Sequence, residues 1–311
     1  MTRFLPWGIV VRMSKIVIVA FYKFVNLPDY REWQRPLRDF CVSQEVRGSV
    51  LLAAEGINGT IAGRRQGIDA VLAYLRQNAA LASLTHKESA AEFMPFGRMK
   101  VRLKREIVNL GRPDITPNKQ VGQYVPAAEW NALISDPDVI LVDTRNDFEV
   151  ELGTFKGAIN PQTAAFNQFP DFVSQNLDPR RHKKVAMFCT GGIRCEKATA
   201  YMLEQGFEEV FHLKDGILKY LETVPPEESL WQGNCFVFDD RVTVDHHLQP
   251  DLVELCPMCK TAVQPQHRLS PNYEFGVSCP NCAAELTPEQ IERAREKQRQ
   301  LALANEREMN S

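Results

Sequence analysis

The chain has 311 residues and a mass of 35.4 kDa, enough for two or three domains of ordinary size. Its 44% hydrophobic and 24% charged residues describe a globular chain able to bury a core, and 37 Lys and Arg against 39 Asp and Glu exclude a bulk polycation that coats nucleic acid. No run of 18 apolar residues offers a membrane span, and eight cysteines are too few to staple a chain of this length.

Residues Met1 to Val11 are largely apolar, but Arg12 and Lys15 interrupt the run before a signal-peptide core forms, and no small-residue cleavage site follows. Met13-Ser14-Lys15 stands before a strong strand, so the first twelve residues read as an extension or an upstream start. With paired cysteines and no secretion signal, the expected compartment is the reducing cytoplasm, without membrane attachment.

Residues 14–112 read as a first domain. Ile16 to Phe21 is a buried-strand run, and Asp29 can cap a helix that carries Trp33, Leu37 and Phe40 on one face. Ser49 to Ala54 and Asn58 to Ala62 predict two strands joined by a turn near Glu55-Gly56, Gly67 to Gln77 is helical, and Met99 to Val108 alternates as a last strand. This β-α-β-β-α-β order predicts a ferredoxin-like α+β domain. Gly111 to Val125, with prolines and polar residues, reads as a linker.

Residues 125–225 read as a second, α/β domain. Val139 to Asp143 and Lys184 to Cys189 are short apolar strands, Glu196 to Gln205 a helix and Val210 to Leu213 a further strand, an alternation that predicts a parallel sheet covered on both faces. Ligands of such sheets sit at the carboxyl ends of the strands, where Asp143 and Cys189 fall. Residues 226–286 are irregular and cysteine-rich, and 287–311 form a charged helical tail. The near-neutral total hides an asymmetry: residues 14–112 carry 16 basic and 9 acidic side chains, residues 125–225 carry 10 and 15.

Cys189-Thr190-Gly191-Gly192-Ile193-Arg194-Cys195 leaves a buried strand and opens a helix. Two glycines permit a tight loop whose N–H groups converge on one point, and the helix adds its positive amino end. That setting lowers a thiol pKa and favours thiolate or persulfide on Cys189, with Arg194 ordering the loop or holding an anionic group. Cysteine phosphatases separate Cys and Arg by five residues; here four intervene and Cys195 takes the phosphatase arginine position, so the smaller bowl suits sulfur better than phosphate. Cys195 is either a resolving partner for a persulfide or a packed cysteine of the helix start.

The second domain resembles a rhodanese domain. Asp143-Thr-Arg145, Glu149, Gly153 and Gly157-Ala-Ile159 are similar to the family's D-x-R and G-x-x-x-G-A-I elements, with Thr154 in place of a common histidine. The loop C-T-G-G-I-R-C-E, its flanking domains and Gly233-Asn-Cys235-Phe-Val-Phe-Asp-Asp240-Arg241 more specifically resemble the bacterial tRNA uridine(34) hydroxylases. The resemblance implies oxygen-dependent 5-hydroxylation of the wobble uridine of tRNA, with Cys189 as the active-site cysteine, Arg194 beside it, and Asp143 and Arg145 in support. Molecular oxygen would be a co-substrate, the electron donor is unidentified, and a sulfur or electron donor protein would be a further partner. Two rival readings keep the same loop: a sulfurtransferase passing a Cys189 persulfide to an acceptor, and a non-enzymatic adaptor whose cysteine senses oxidation.

Cys256-Pro-Met-Cys259 and Cys279-Pro-Asn-Cys282 form a C-x2-C-x19-C-x2-C pattern, the spacing of a zinc ribbon in which four thiolates close a structural site. Lys100, Arg102 and Lys104 recur with period two on the expected last strand of the basic domain. With Arg64 and Arg65 they are the candidate tRNA-backbone contacts, a reading that rests on the domain charge and the resemblance together. Cys41 and Cys235 receive no role from the sequence.

Overall fold

Alternating apolar residues build the first sheet. The computed structural model describes residues 15–309 apart from 240, 252 and 260, so the extension expected before Met13 lies outside the described residues. The first domain comprises β1 (Ile16–Phe24), α1 (Tyr30–Ser43), β2 (Arg47–Ala53), β3 (Gly56–Gly63), α2 (Arg65–Arg76), β4 (Lys87–Ala91) and β5 (Met99–Leu103). The sheet order is β4-β1-β3-β2-β5, antiparallel except for the parallel β2–β5 pair. One face, with Val19, Phe21, Val50, Leu52, Ile57 and Val101, packs under α1 and α2. Cys41 of α1 belongs to that core and is fully buried.

The β-α-β-β-α-β expectation holds with one substitution. The strand that completes the unit beside β1 is β4, and the basic segment expected in that place is a fifth strand on the opposite edge, ending at Leu103 rather than Val108. Lys-Glu-Ser-Ala-Ala has little strand propensity and no apolar alternation, and β4 exists through its ladder to β1. Beyond Leu103 the chain turns, because Ile107 buries itself against Phe24 and Ala53 and donates its N–H to the Glu55 carboxylate.

The second domain runs through β6 (Gln123–Val125), α3 (Ala127–Ile134), β7 (Val139–Asp143), α4 (Asp147–Val150), β8 (Gly153–Phe155), α5 (Phe169–Asn176), β9 (Lys184–Phe188), α6 (Ile193–Glu204), β10 (Glu209–Leu213) and α7 (Gly216–Thr223). Its sheet is parallel, in the order β6-β10-β9-β7. Val185 and Met187 of β9 face α5 and α6, while Ala186 and Phe188 face α3 and α7, which is why this central strand reads as an unbroken apolar run. The segment expected as a linker is instead packed: Leu110 and Ile115 enter the core under α6, and the Gly122 N–H bonds the Thr199 hydroxyl.

Short strand pairs follow: β11 (Trp231–Gly233) joins β8, β12 (Cys235–Phe236) joins β13 (Thr243–Val244), and β14 (Glu254–Leu255) joins β15 (Ala262–Val263), before α8 (Pro288–Met309). Trp231, Cys235, Val237 and Val244 complete the α3/α7 side of the second core.

Candidate active site

Cys189 directly follows β9, the strand between β7 and β10, with 1% of its surface exposed. Its sulfur accepts the Gly192 N–H at 3.1 Å, and its carbonyl accepts the Ile217 N–H at 3.0 Å. The amino ends of α6 and α7 therefore both border the loop. Gly192 has φ +98° and a Cβ there would lie 3.0 Å from the Tyr22 hydroxyl; at Gly216, φ +73°, a Cβ would lie 2.6 Å from the Cys189 carbonyl oxygen. Both corners require glycine.

Burial alone would raise the Cys189 thiol. The Cys195 thiol, the Arg194 charge and the N–H groups of Cys195 and Gly192 outweigh it and bring the thiol down to about 5, which favours the thiolate. Cys195 is driven the other way, well above an ordinary thiol, by burial and by the adjacent thiolate. It is both packed in the core and hydrogen-bonded to Cys189, and its sulfur lies 3.5 Å from the Thr144 hydroxyl.

Arg194 does not point its fork into the bowl. Its two terminal nitrogens donate to the Glu149 carboxylate at 2.6 and 2.8 Å, and one also reaches the Thr190 hydroxyl at 3.2 Å. Despite complete burial, Glu149 is held below the usual carboxylate range by Arg194. Arg194 thus acts on the sulfur through its field and through the loop. Asp143 and Arg145 form a separate, fully buried pair at 2.7 Å; Asp143 also accepts the Thr154 hydroxyl at 2.9 Å, and the Arg145 guanidinium lies 5.0 Å from the Trp231 ring centre. They tie β7 to β8 and β11, and Thr154 donates to Asp143 where the rhodanese pattern has histidine. Cys235 is buried, and burial pushes its thiol up to about 12.

The first domain supplies groups that sequence reasoning missed. Lys87 of β4 donates to the carbonyls of Gly191, at 2.8 Å, and Asp215. The Tyr22 hydroxyl of β1 donates to Glu196 at 2.8 Å, and Tyr124 bonds the same carboxylate. Burial raises Glu196 above the ordinary carboxylate range. Lys197, fully buried, meets Glu55 at 2.7 Å and Glu106 at 2.6 Å, fastening α6 to the first domain and to the segment after β5. Glu196 and Lys197 sit next to the loop in the chain, a positional signal; no local signal marks Tyr22 or Lys87.

Among the candidate backbone contacts, Arg64, Arg102 and Lys104 are exposed and Lys100 is half-buried. Arg65 reaches across to β4, pairing with Glu88 at 2.6 Å and with Asp69 at 3.2 Å. Cross-strand partners share a face, and the row Lys87, Ala20, Thr60, Ser49, Lys100 spans all five strands. Tyr22, Asn58, Leu51 and Arg102 form the adjacent row, so the basic strip lies on the sheet face that meets the Cys189 loop.

Cys256, Cys259, Cys279 and Cys282 converge, with all four sulfurs within 4.8 Å of one another. Cys256–Cys282, Cys259–Cys279 and Cys279–Cys282 are separated by 3.7, 3.5 and 3.8 Å. Four thiolates at metal–sulfur distances of about 2.3 Å lie about 3.8 Å apart on the edges of a tetrahedron, so the donors fit one tetrahedral ion and not two disulfides.

Residues 16–107 match the UPF0176 acylphosphatase like domain and residues 126–223 the rhodanese-like domain. Fold and loop together define a rhodanese-domain protein with an acylphosphatase-like domain ahead of the domain that carries Cys189. The chain is 56% identical over 293 residues to a tRNA uridine(34) hydroxylase of Teredinibacter turnerae, covering 94% of this chain and 91% of that one. It is also 56% identical over 281 residues to one of Picosynechococcus sp., covering 90% and 94%. The chain belongs to the tRNA uridine(34) hydroxylase family. A solved rhodanese-like domain from Anabaena sp. is 19% identical, with a TM-score of 0.29, over 35% of this chain and 78% of its own.

Proposed function

We infer that the protein hydroxylates carbon 5 of uridine 34 in tRNA, with Cys189 as the reacting group. The observation that carries this reading is a buried sulfur that accepts the Gly192 N–H beside the Cys195 thiol and the Arg194 charge, a setting that favours the thiolate, in a chain that belongs to a family named for that substrate. A thiolate so placed is also able to carry a sulfane sulfur as a persulfide. Hydroxylation by molecular oxygen puts one oxygen atom into the C–H bond and reduces the other to water. The reaction therefore also draws two electrons and two protons from a reductant, which an electron donor protein would supply; a sulfur donor protein would be a partner only if Cys189 carries a persulfide. The sulfurtransferase alternative uses the same loop, and family membership favours hydroxylation over it.

The strip of Lys100, Arg102 and Lys104 is the tRNA-backbone contact in this reading, supported by the sheet face it shares with Lys87 and Tyr22. Arg64 extends it at one end; Arg65, neutralised by Glu88 and Asp69, adds little free charge. A tRNA substrate supports a cytoplasmic location in this reading, and among the described residues no helix is long and apolar enough to cross a membrane. Nucleoside mass spectrometry tests the assignment: tRNA from a deletion strain lacks 5-hydroxyuridine, the intact gene restores it, and Cys189→Ala does not. Unchanged 5-hydroxyuridine in the deletion strain refutes it. The Lys100/Arg102/Lys104 triple alanine is expected to weaken tRNA binding and to flatten its log–log salt dependence by about two units.

Zinc is the ion we assign to the four cysteines, since a closed set of soft thiolates leaves no open coordination position. One equivalent per chain is expected by elemental analysis. Chelation is expected to open residues 254–287 to protease while the first two domains stay resistant, because the ribbon's own apolar cluster holds little beyond the cysteines, Val263 and a few partly buried neighbours.

A further inference from the structure

The Gly191–Gly192 peptide group has its two ends held by different domains. Its N–H end donates to the Cys189 sulfur at 3.1 Å, and its carbonyl end accepts from the Lys87 ammonium at 2.8 Å. The same ammonium bonds the Asp215 carbonyl and lies 3.4 Å from the Asp215 carboxylate, at the corner where Gly216 passes under the Cys189 carbonyl. We propose that Lys87 of the first domain is a positioning residue for Cys189, orienting and polarising the one peptide unit that donates across the loop to its sulfur. The inference rests on Cys189 being the reacting thiolate, and it assigns the acylphosphatase-like domain a part in building the reactive centre as well as in holding RNA.

The physical grounds are threefold. A glycine pair leaves the 191–192 peptide free to flip, and a cation on its oxygen fixes the plane with the N–H aimed at the sulfur. A charged donor on the carbonyl draws electron density from the amide and strengthens the N–H as a donor, the cooperative gain of hydrogen bonds in series. Lys87 also carries positive charge towards the sulfur, alongside Arg194. Other titratable groups that face the loop are Cys195, Glu196 and Tyr22; the Cys189 charge makes ionisation of the Glu196 carboxyl and the Tyr22 phenol harder. Lys87 stands at a strand edge on β4, so it reaches the loop only when the two domains dock.

The test is an absorbance titration of the thiolate, run on the full-length metal-loaded protein without tRNA. Each variant is measured against its own Cys189→Ser counterpart, so that only this sulfur is read. Lys87→Met is expected to raise the Cys189 midpoint by about one pH unit, a ten-fold change in acid dissociation constant, and Lys87→Arg to restore most of it. A folded Lys87→Met protein with an unchanged midpoint overturns the proposal. So does a Lys87→Met that raises the midpoint together with a Lys87→Arg of equal effect, since that pattern reports loose packing and not a cation on the peptide. If Lys87→Met does not fold, Lys87→Gln, a neutral donor of similar length, is read instead, with the same two outcomes. The titration is independent of hydroxylation, so a protein that fails to modify tRNA yet shows the shift leaves this inference standing while the functional assignment falls.

Discussion

Replacing Lys197 by methionine is expected to destabilise the protein by about 3–5 kcal/mol, because it strands two buried carboxylates at once. Lys197 is wholly buried, and Glu55 and Glu106 have only 11% and 5% of their side chains exposed. Both glutamates have further duties: Glu55 accepts the Ile107 N–H, and Glu106 accepts the N–H groups of Leu110 and Gly111. The loss is therefore felt where the first domain, the connecting segment and α6 meet. Its pH dependence follows from the sign of the shift. Burial already holds Glu55 above the ordinary carboxylate value in the intact triad. A raised folded pKa contributes stability that is complete below the unfolded value of 4.5 and is lost as pH rises through the folded value. Removing the ammonium pushes Glu55 further up, so the variant weakens more steeply than the parent as pH rises from about 5 to neutrality. Urea midpoints at the two ends of that range read the effect directly. Adding Glu55→Gln and Glu106→Gln is expected to recover much of the loss and to flatten the pH profile.

The second large effect belongs to Arg194→Met. It leaves the fully buried Glu149 carboxylate hydrogen-bonded only to a hydroxyl and a backbone N–H, at a cost of about 3–5 kcal/mol, and it removes a cation whose charge lowers the Cys189 thiol. In the parent, Glu149 is depressed, so its contribution is present above the unfolded carboxylate value and is lost as pH falls through the folded value. In the variant burial is opposed only by the Arg145 charge and the Asn146 N–H, so Glu149 rises and the loss of stability in acid shrinks relative to the parent. The thiolate of Cys189, set at about 5 in the parent, is expected to form only at higher pH, and hydroxylation at pH 7 to fall by at least about ten-fold. Arg194→Lys separates the two causes: it keeps a charge but loses the fork that engages both Glu149 oxygens, so it is expected to rescue the thiolate better than the stability. A pH–rate profile alongside thermal melts distinguishes these outcomes.

The reactive loop was legible because its signal is local. A buried apolar strand, two glycines and a helix start within a few residues of Cys189 dictate a tight turn with converging N–H groups, and the structure has that turn. The four zinc-ribbon cysteines were legible for the same reason: two C-x2-C knuckles are each a short-range unit, and only the chain between them needs to fold back. The role of Arg194 was half legible. Its proximity to Cys189 follows from spacing, but its commitment to Glu149 depends on α4 being held against the loop, which spacing does not encode.

Other features were set only when distant elements docked. β4 has no strand pattern of its own and is a strand because β1 offers it a ladder, so the sequence suggested the basic segment in its place. Residues 111–125 look like a linker in composition, yet Ile115 and Gly122 pack under α6 because the connecting chain must cross an apolar helix face. The cysteine total that at first spoke only to compartment resolves into a core residue, a reactive pair, one buried thiol near Arg145 and a four-sulfur cluster. Composition and short-range spacing were enough to single out the Cys189 loop and the four clustered cysteines, since each depends on neighbours in the chain. The first-domain groups that reach the Cys189 loop, Lys87 and Tyr22 at sequence separations above one hundred residues, came from the tertiary structure alone, because charge and hydrogen bonding act through space and the chain brings those groups together only by burying the face between its two domains.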